Sequence, residues 1–289
     1  MHRYLRAVGL KSLDSKRKVR EFLQKVIDNP DTVRISQDGP DGNLAVLTKK
    51  LSKWSGITVC GEYNENQEFR IDSYYPYVTS DLMSTYTSCT VMRQTDADSY
   101  YGMCEDYRLG VSLIFFLVNF MSLHDARGNR RRISDVCISG LSDEGKILLP
   151  VRKTEGEKDE AKLASVKRGH MIEEARGGNA EAMETLTIEE MNLYNMVNRR
   201  IAREDLYSVV DSFFMPNGLE CDQYALMGDI TEMETWKNEE TGEEGYYLMV
   251  ETNDMPVLIS IQKDDLLGEP AEGRRFKGNV WIQGTANYV

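Results

Sequence analysis

The chain has 289 residues, 41% of them hydrophobic, and a formal net charge of −12. That length accommodates about two domains, and the apolar content excludes wholesale disorder. The acidic surplus is local: 18 acidic and 5 basic residues lie between Glu204 and Val289, whereas residues 1–203 are near neutral. A surface of that sign repels phosphate, which makes nucleic acid a disfavoured partner for the C-terminal third.

Met1 to Arg6 lacks the apolar run of a signal peptide. The first element is a helix between Asp14 and Asp28, with Val19, Phe22, Leu23, Val26 and Ile27 on one face, Asp14 or Ser15 at its start and Pro30 beyond its end. Its other face, Lys16, Arg17, Lys18, Arg20 and Lys25, is a solvated surface or a weak nucleic-acid contact. Strands are expected at Asn43–Thr48, Ile57–Tyr63 and Glu68–Tyr77, then at Thr90–Arg93 and Tyr100–Glu105 around a polar tip, Thr95–Asp98.

Leu109 to Phe120 is apolar on every side, which predicts a central buried helix. The apolar stretch to Leu123 is fifteen residues, short of the about 20 that span a bilayer. A soluble, cytoplasmic protein without a membrane contact is expected. Val136–Ser139 and Lys146–Val151 are expected to close a hairpin across Ser142–Gly145.

Arg152–Lys162 is almost wholly polar and marks a boundary. Gly177–Leu186 then suggests a turn opening a short helix. Thr187–Glu190 fits a capping box for a second helix through Met191, Tyr194, Val197 and Ile201. Beyond it, alternation at Tyr224–Ile230, Tyr246–Val250, Val257–Ile261 and Phe276–Ile282 predicts four strands, with loops at Asn238–Gly242 and Asn253–Asp254. Gly278 and Gly284 fall where a strand must bend.

The expected class is α+β. An N-terminal mixed α/β-sheet domain (1–151) holds the buried helix, a polar and helical linker follows (152–204), and an acidic, small antiparallel β-barrel of the oligonucleotide/oligosaccharide-binding (OB) type ends the chain (205–289).

Chemistry is sparse. Cys60, Cys89, Cys104, Cys137 and Cys221 form no CxxC pair, which argues for a reducing compartment and for cysteines that serve as small buried hydrophobes. His2, His124 and His170 are far apart in sequence, and no nucleotide-loop or hydrolase motif occurs, so neither a metal nor a cofactor is expected. The densest octet is Tyr101–Arg108, where Cys104, Glu105, Asp106 and Arg108 could support acid–base or nucleophilic work, or form an Arg108 ion pair capping the entrance to the central helix, with Glu105 or Asp106 near its positive end. Tyr63, Tyr74, Tyr75 and Tyr77 could line a small-molecule groove or pack across a sheet.

Two functional readings follow. In the first, a non-enzymatic binding or regulatory protein docks a protein partner on its acidic barrel. In the second, a small-molecule sensor or enzyme has its site near Tyr74–Tyr77 and Cys104–Arg108.

Several stretches resemble one family along essentially the whole chain. They are His2–Gly9, Tyr107–Phe115, Gly140–Pro150, Phe213–Pro216, Leu266–Pro270 and Gly273–Gly278. The pattern is similar to an uncharacterised bacterial family, domain of unknown function 3881. The resemblance implies a cytoplasmic two-part protein and brings no catalytic residue with it.

Overall fold

A computed structural model of the chain describes residues 2–36, 44–64, 66–94, 99–123, 132–151, 163–164, 167–172, 174–175, 177–201 and 206–289. The polar boundary at Arg152–Lys162, the tip at Thr95–Asp98 and His124 lie outside the described residues.

The fold is α+β and dominated by strand. A 3-10 helix, Arg3–Val8, opens it, and Tyr4, Leu5, Ala7 and Val8 are buried. Helix α1, Lys16–Asp28, follows; the Ser15 side chain accepts from the Lys18 N–H at 3.3 Å. Its apolar face buries Val19, Phe22, Leu23 and Val26. On the solvent face Lys18 pairs with Asp14 at 3.0 Å and Arg17 with Glu21 at 3.5 Å.

Strands β1 (Thr32–Ser36), β2 (Leu44–Lys50), β3 (Ser55–Tyr63) and β4 (Phe69–Val78) make an antiparallel four-stranded sheet in chain order. The second sheet has ten strands. It takes β5 (Cys89–Arg93), β6 (Tyr100–Cys104), β7 (Leu113–Leu117) and β8 (Ile133–Leu148) from the first half of the chain. The second half adds β9 (Phe213–Pro216), β10 (Gln223–Lys237), β11 (Glu244–Thr252), β12 (Met255–Gln262), β13 (Leu266–Leu267) and β14 (Arg275–Tyr288).

Three local expectations give way. The apolar segment at Leu109–Phe120 carries the strand β7, Leu113–Leu117, between turns rather than a helix; helix begins only at Phe120. β7 lies between β6 and β14 in the sheet. A strand covered on both faces is apolar throughout, as a buried helix is, and periodicity cannot separate the two.

The expected hairpin over Val136–Val151 is the single strand β8. Its register with β14 runs Glu144↔Asn279 and then Ser142↔Val280, so Asp143 is an extra, bulged residue. The Ser-Asp-Glu-Gly turn signal is absorbed by that bulge, and the buried Asp143 carboxylate receives the Arg3 guanidinium. Lastly, α2 runs unbroken from Ala180 to Ile201, opened by Asn179, which accepts from the Glu181 N–H at 3.1 Å. Thr187 lies inside that helix and donates back to the Met183 carbonyl at 2.8 Å instead of capping. A single turn, α3 (Leu206–Val209), follows.

β10, β11 and β12 form an antiparallel meander, and β14 adds to β10. They are not a sheet of their own. β8 pairs with β14 on one side, antiparallel, and with β12 on the other, parallel, which closes the circuit β8-β12-β11-β10-β14-β8. The partner strand lies more than a hundred residues upstream of β12, beyond the reach of local patterning.

One hydrophobic cluster includes residues from both sheets. Buried polar side chains fix how the sheets meet. Gln283 on β14 accepts from the Val78 N–H and donates to the Pro76 carbonyl, both at 2.9 Å, and Ser139 donates to the Val78 carbonyl at 2.7 Å.

Candidate functional site

Alternation along β14 decides where its side chains go. Val280 and Ile282 point to one face, and Trp281 and Gln283 to the other, toward β4. Register then adds neighbours on that second face. Gln283 lies opposite Phe116 on β7, and Phe116 opposite Tyr101 on β6. The rings of Tyr101 and Phe116 meet edge to face at 6.0 Å, and Phe116 lies 5.2 Å from Trp281. From the four-stranded sheet Tyr75 meets Phe116 at 4.7 Å. From the N-terminal segment Tyr4 stacks on Trp281 at 5.5 Å and His2 lies 4.8 Å from the same indole.

These rings, with Tyr74, Ser73 and Ser99, wall a cleft of about 250 Å³ whose remaining lining is Glu220 and Asp222. The carboxylates come from the turn before β10. The Trp281 indole N–H donates to Asp222 Oδ2 at 2.6 Å, and the Ile282 N–H donates to the Asp222 carbonyl at 2.9 Å.

The cleft is electrostatically one-sided. Burial pushes the Tyr4 phenol up to about 12, with Asp143, Asp222 and Glu220 adding to the effect and Arg3 opposing it. Burial does the same to Tyr101, again to about 12, helped by Asp222, Cys221 and Glu220. Asp222 is raised above the ordinary carboxylate value, chiefly by burial. His2 is lowered to about 4, first by burial and then by the positive amino terminus, so its imidazole is neutral near pH 7. Among the described residues no Lys or Arg lines the cleft. The guanidinium of Arg3 stands over the Tyr4 ring at 5.7 Å and is bound to Asp143.

The residues singled out from sequence are distributed unevenly. Tyr74 and Tyr75 line this cleft, and Tyr75 also borders a second hollow that holds Tyr77. Tyr63 packs edge to face on Phe69 at 5.1 Å, where β3 and β4 meet. Glu105 accepts from the Ser112 hydroxyl at 2.7 Å. Arg108 reaches Asp106 through Nε at 2.9 Å and Nη2 at 2.6 Å, and donates to the Ser84 and Asp254 carbonyls.

Burial raises the Asp106 carboxyl, but hydrogen bonds from Arg108 and Thr85, with the guanidinium charge, outweigh it and leave the group below its usual value. That pair ties three chain segments together; it does not join Tyr74 and Tyr75 in the cleft. His2, Tyr4, Phe116, Glu220, Asp222 and Trp281 were not among the sequence candidates. The available signal was Trp281 itself, a large aromatic on the strand face that alternation assigns to polar residues.

Among the described residues no group of three or more His, Cys, Asp or Glu side chains could hold a metal ion, and no helix is long and apolar enough to cross a membrane. No curated protein and no solved structure matches the chain. A family model described as "Domain of unknown function, E. rectale Gene description (DUF3881)" matches residues 5–284. The chain therefore belongs to the DUF3881 family.

Proposed function

We propose that this is a binding protein whose aromatic cleft takes a small organic cation bearing methylated or otherwise bulky ammonium. The observation that carries the reading is the composition of the walls. His2, Tyr4, Tyr75, Tyr101, Phe116 and Trp281 surround a space whose charged lining groups are the carboxylates Glu220 and Asp222. Aromatic faces attract cations by about 0.5–2 kcal/mol per contact, most strongly for Trp, and bulky ammonium groups shed water easily enough to use that attraction. At about 250 Å³ the space suits a molecule of a few heavy atoms, since drug-sized ligands occupy roughly 300–1,000 Å³.

The strand circuit supports the reading. Five strands cannot close with antiparallel pairs alone, and the β8–β12 pair supplies the parallel one. We read the circuit as a small OB-like barrel whose first strand comes from the N-terminal half, with Trp281 on its outer surface. Barrels of this kind commonly carry ligand sites on a strand face.

Calorimetric titration with choline and with its neutral isostere 3,3-dimethyl-1-butanol tests the proposal. Choline binding at least tenfold tighter is expected. Equal affinities would leave a cleft without charge selection, and no heat from either would remove the cleft as a ligand site.

A second groove favours a protein partner as a further reading. It is lined by Trp54, Leu82, Met233 and Met249, with Asp81, Glu232 and Glu234 at its edge. The methionines are half-buried, Lys53 in the same lining pairs with Glu234 at 2.8 Å, and thioether side chains beside the carboxylates Asp81 and Glu232 suit a basic amphipathic segment. Pull-down with a synthetic basic amphipathic helix, lost on Met233→Ser, tests it; capture unaffected by that substitution counts against it.

A further inference from the structure

Cys89 and Cys104 face each other directly across the antiparallel β5–β6 pair. Directly opposed residues share one face, with Cα atoms about 4.5–5.5 Å apart. That falls inside the span of about 4.4–6.8 Å that a disulfide bridges. Both are free thiols. Cys104 is fully buried, and Cys89 is partly exposed on β5, the outermost strand of its sheet.

We propose that Cys89 and Cys104 are a reversible dithiol–disulfide site, oxidised by a low-molecular-weight disulfide. Cys89, the accessible partner, attacks the oxidant as thiolate, forms a mixed disulfide and releases one thiolate. Cys104 then loses its proton, attacks the Cys89 sulfur and displaces the second thiolate. Two protein thiols become one disulfide, the oxidant's S–S bond is reduced to two thiols, and both protons end on them.

The division of roles follows the environment. A hydrogen bond from Cys104 lowers the Cys89 thiol, with burial opposing. The same bond raises Cys104, and burial adds to it. Cys104 is thus slow to react until Cys89 has been modified. The other thiols are less suited: Cys60 and Cys137 are buried, and Cys221 is exposed with its thiol raised, first by burial and then by Asp222. Closure would pin the edge strand β5 to β6, the strand that carries Tyr101 into the cleft.

The test is incubation of the intact folded chain with oxidised glutathione, followed by alkylation in denaturant and peptide mapping. The expected result is a fall from five alkylatable thiols to three and a crosslinked Cys89–Cys104 peptide that dithiothreitol releases. C104S should instead retain glutathione on Cys89, and C89S should leave Cys104 unmodified. A wild-type chain that keeps both thiols, or glutathionylation of Cys104 in C89S, would overturn the proposal.

Discussion

The indole nitrogen of Trp281 donates to Asp222 at 2.6 Å, tying the middle of β14 to the turn that leads into β10. The bond satisfies a carboxylate that is 3% exposed and places Glu220, two residues earlier, at the cleft. An aromatic wall and its negative charge are thereby one structural unit.

Asp222→Asn separates charge from geometry, because the amide oxygen can still accept from the indole. Unfolding stability in urea should change by no more than about 1 kcal/mol. Affinity for choline should fall about fivefold, the equivalent of about 1 kcal/mol of lost cation attraction. An unchanged dissociation constant would show that the carboxylate contributes structure alone.

Arg108→Ala leaves the Asp106 carboxylate buried without its charged partner, a change that costs about 3–5 kcal/mol in comparable pairs. Urea denaturation should register a loss of that size. In the fraction that remains folded, choline should bind as it does to the parent chain. Weakened binding there would mean that the ion pair reaches the cleft after all.

Phe115 lies across two glycines. A methyl group on Gly102 would sit 2.1 Å from the Phe115 ring, and one on Gly284 would sit 2.3 Å from it. Gly284→Ala should cost about 1–3 kcal/mol by overpacking. Combined with Phe115→Leu, the two penalties should add to less than their sum. Strict additivity in a double-mutant cycle would contradict the close approach.

His2 titrates far below an exposed histidine, about 4 against 6.5. Between those values the unfolded chain holds a proton that the folded chain lacks, so stability should fall as pH drops through that window and gain nothing from His2 above 6.5. The comparison that isolates it is His2→Gln against the parent chain at pH 7 and pH 5. The parent should lose more stability than the variant. Equal losses would place the imidazole in water.

Alternation and turn signals located α1, β10 to β12 and β14, where one face is apolar and the ends are punctuated. The same patterning failed at Leu113–Leu117, because a strand covered on both faces has no polar side to reveal its period. It failed at Asp143 because a bulge uses the residues of a turn. Of the cleft, only Tyr74 and Tyr75 were legible as candidates. Trp281, Phe116 and His2 meet through pairings between distant strands and through the docking of the N-terminal segment. No local window contains that information.

Cation selection by the cleft is read at the wall itself from the fluorescence of Trp281 in a chain carrying Trp54→Phe and Trp236→Phe. Titration with choline should give a saturable change in emission, which 3,3-dimethyl-1-butanol at the same concentrations should not reproduce and which Asp222→Asn should shift to higher concentration. A flat response to choline from a folded chain, or an identical response to both compounds, would contradict a cation-selective cleft.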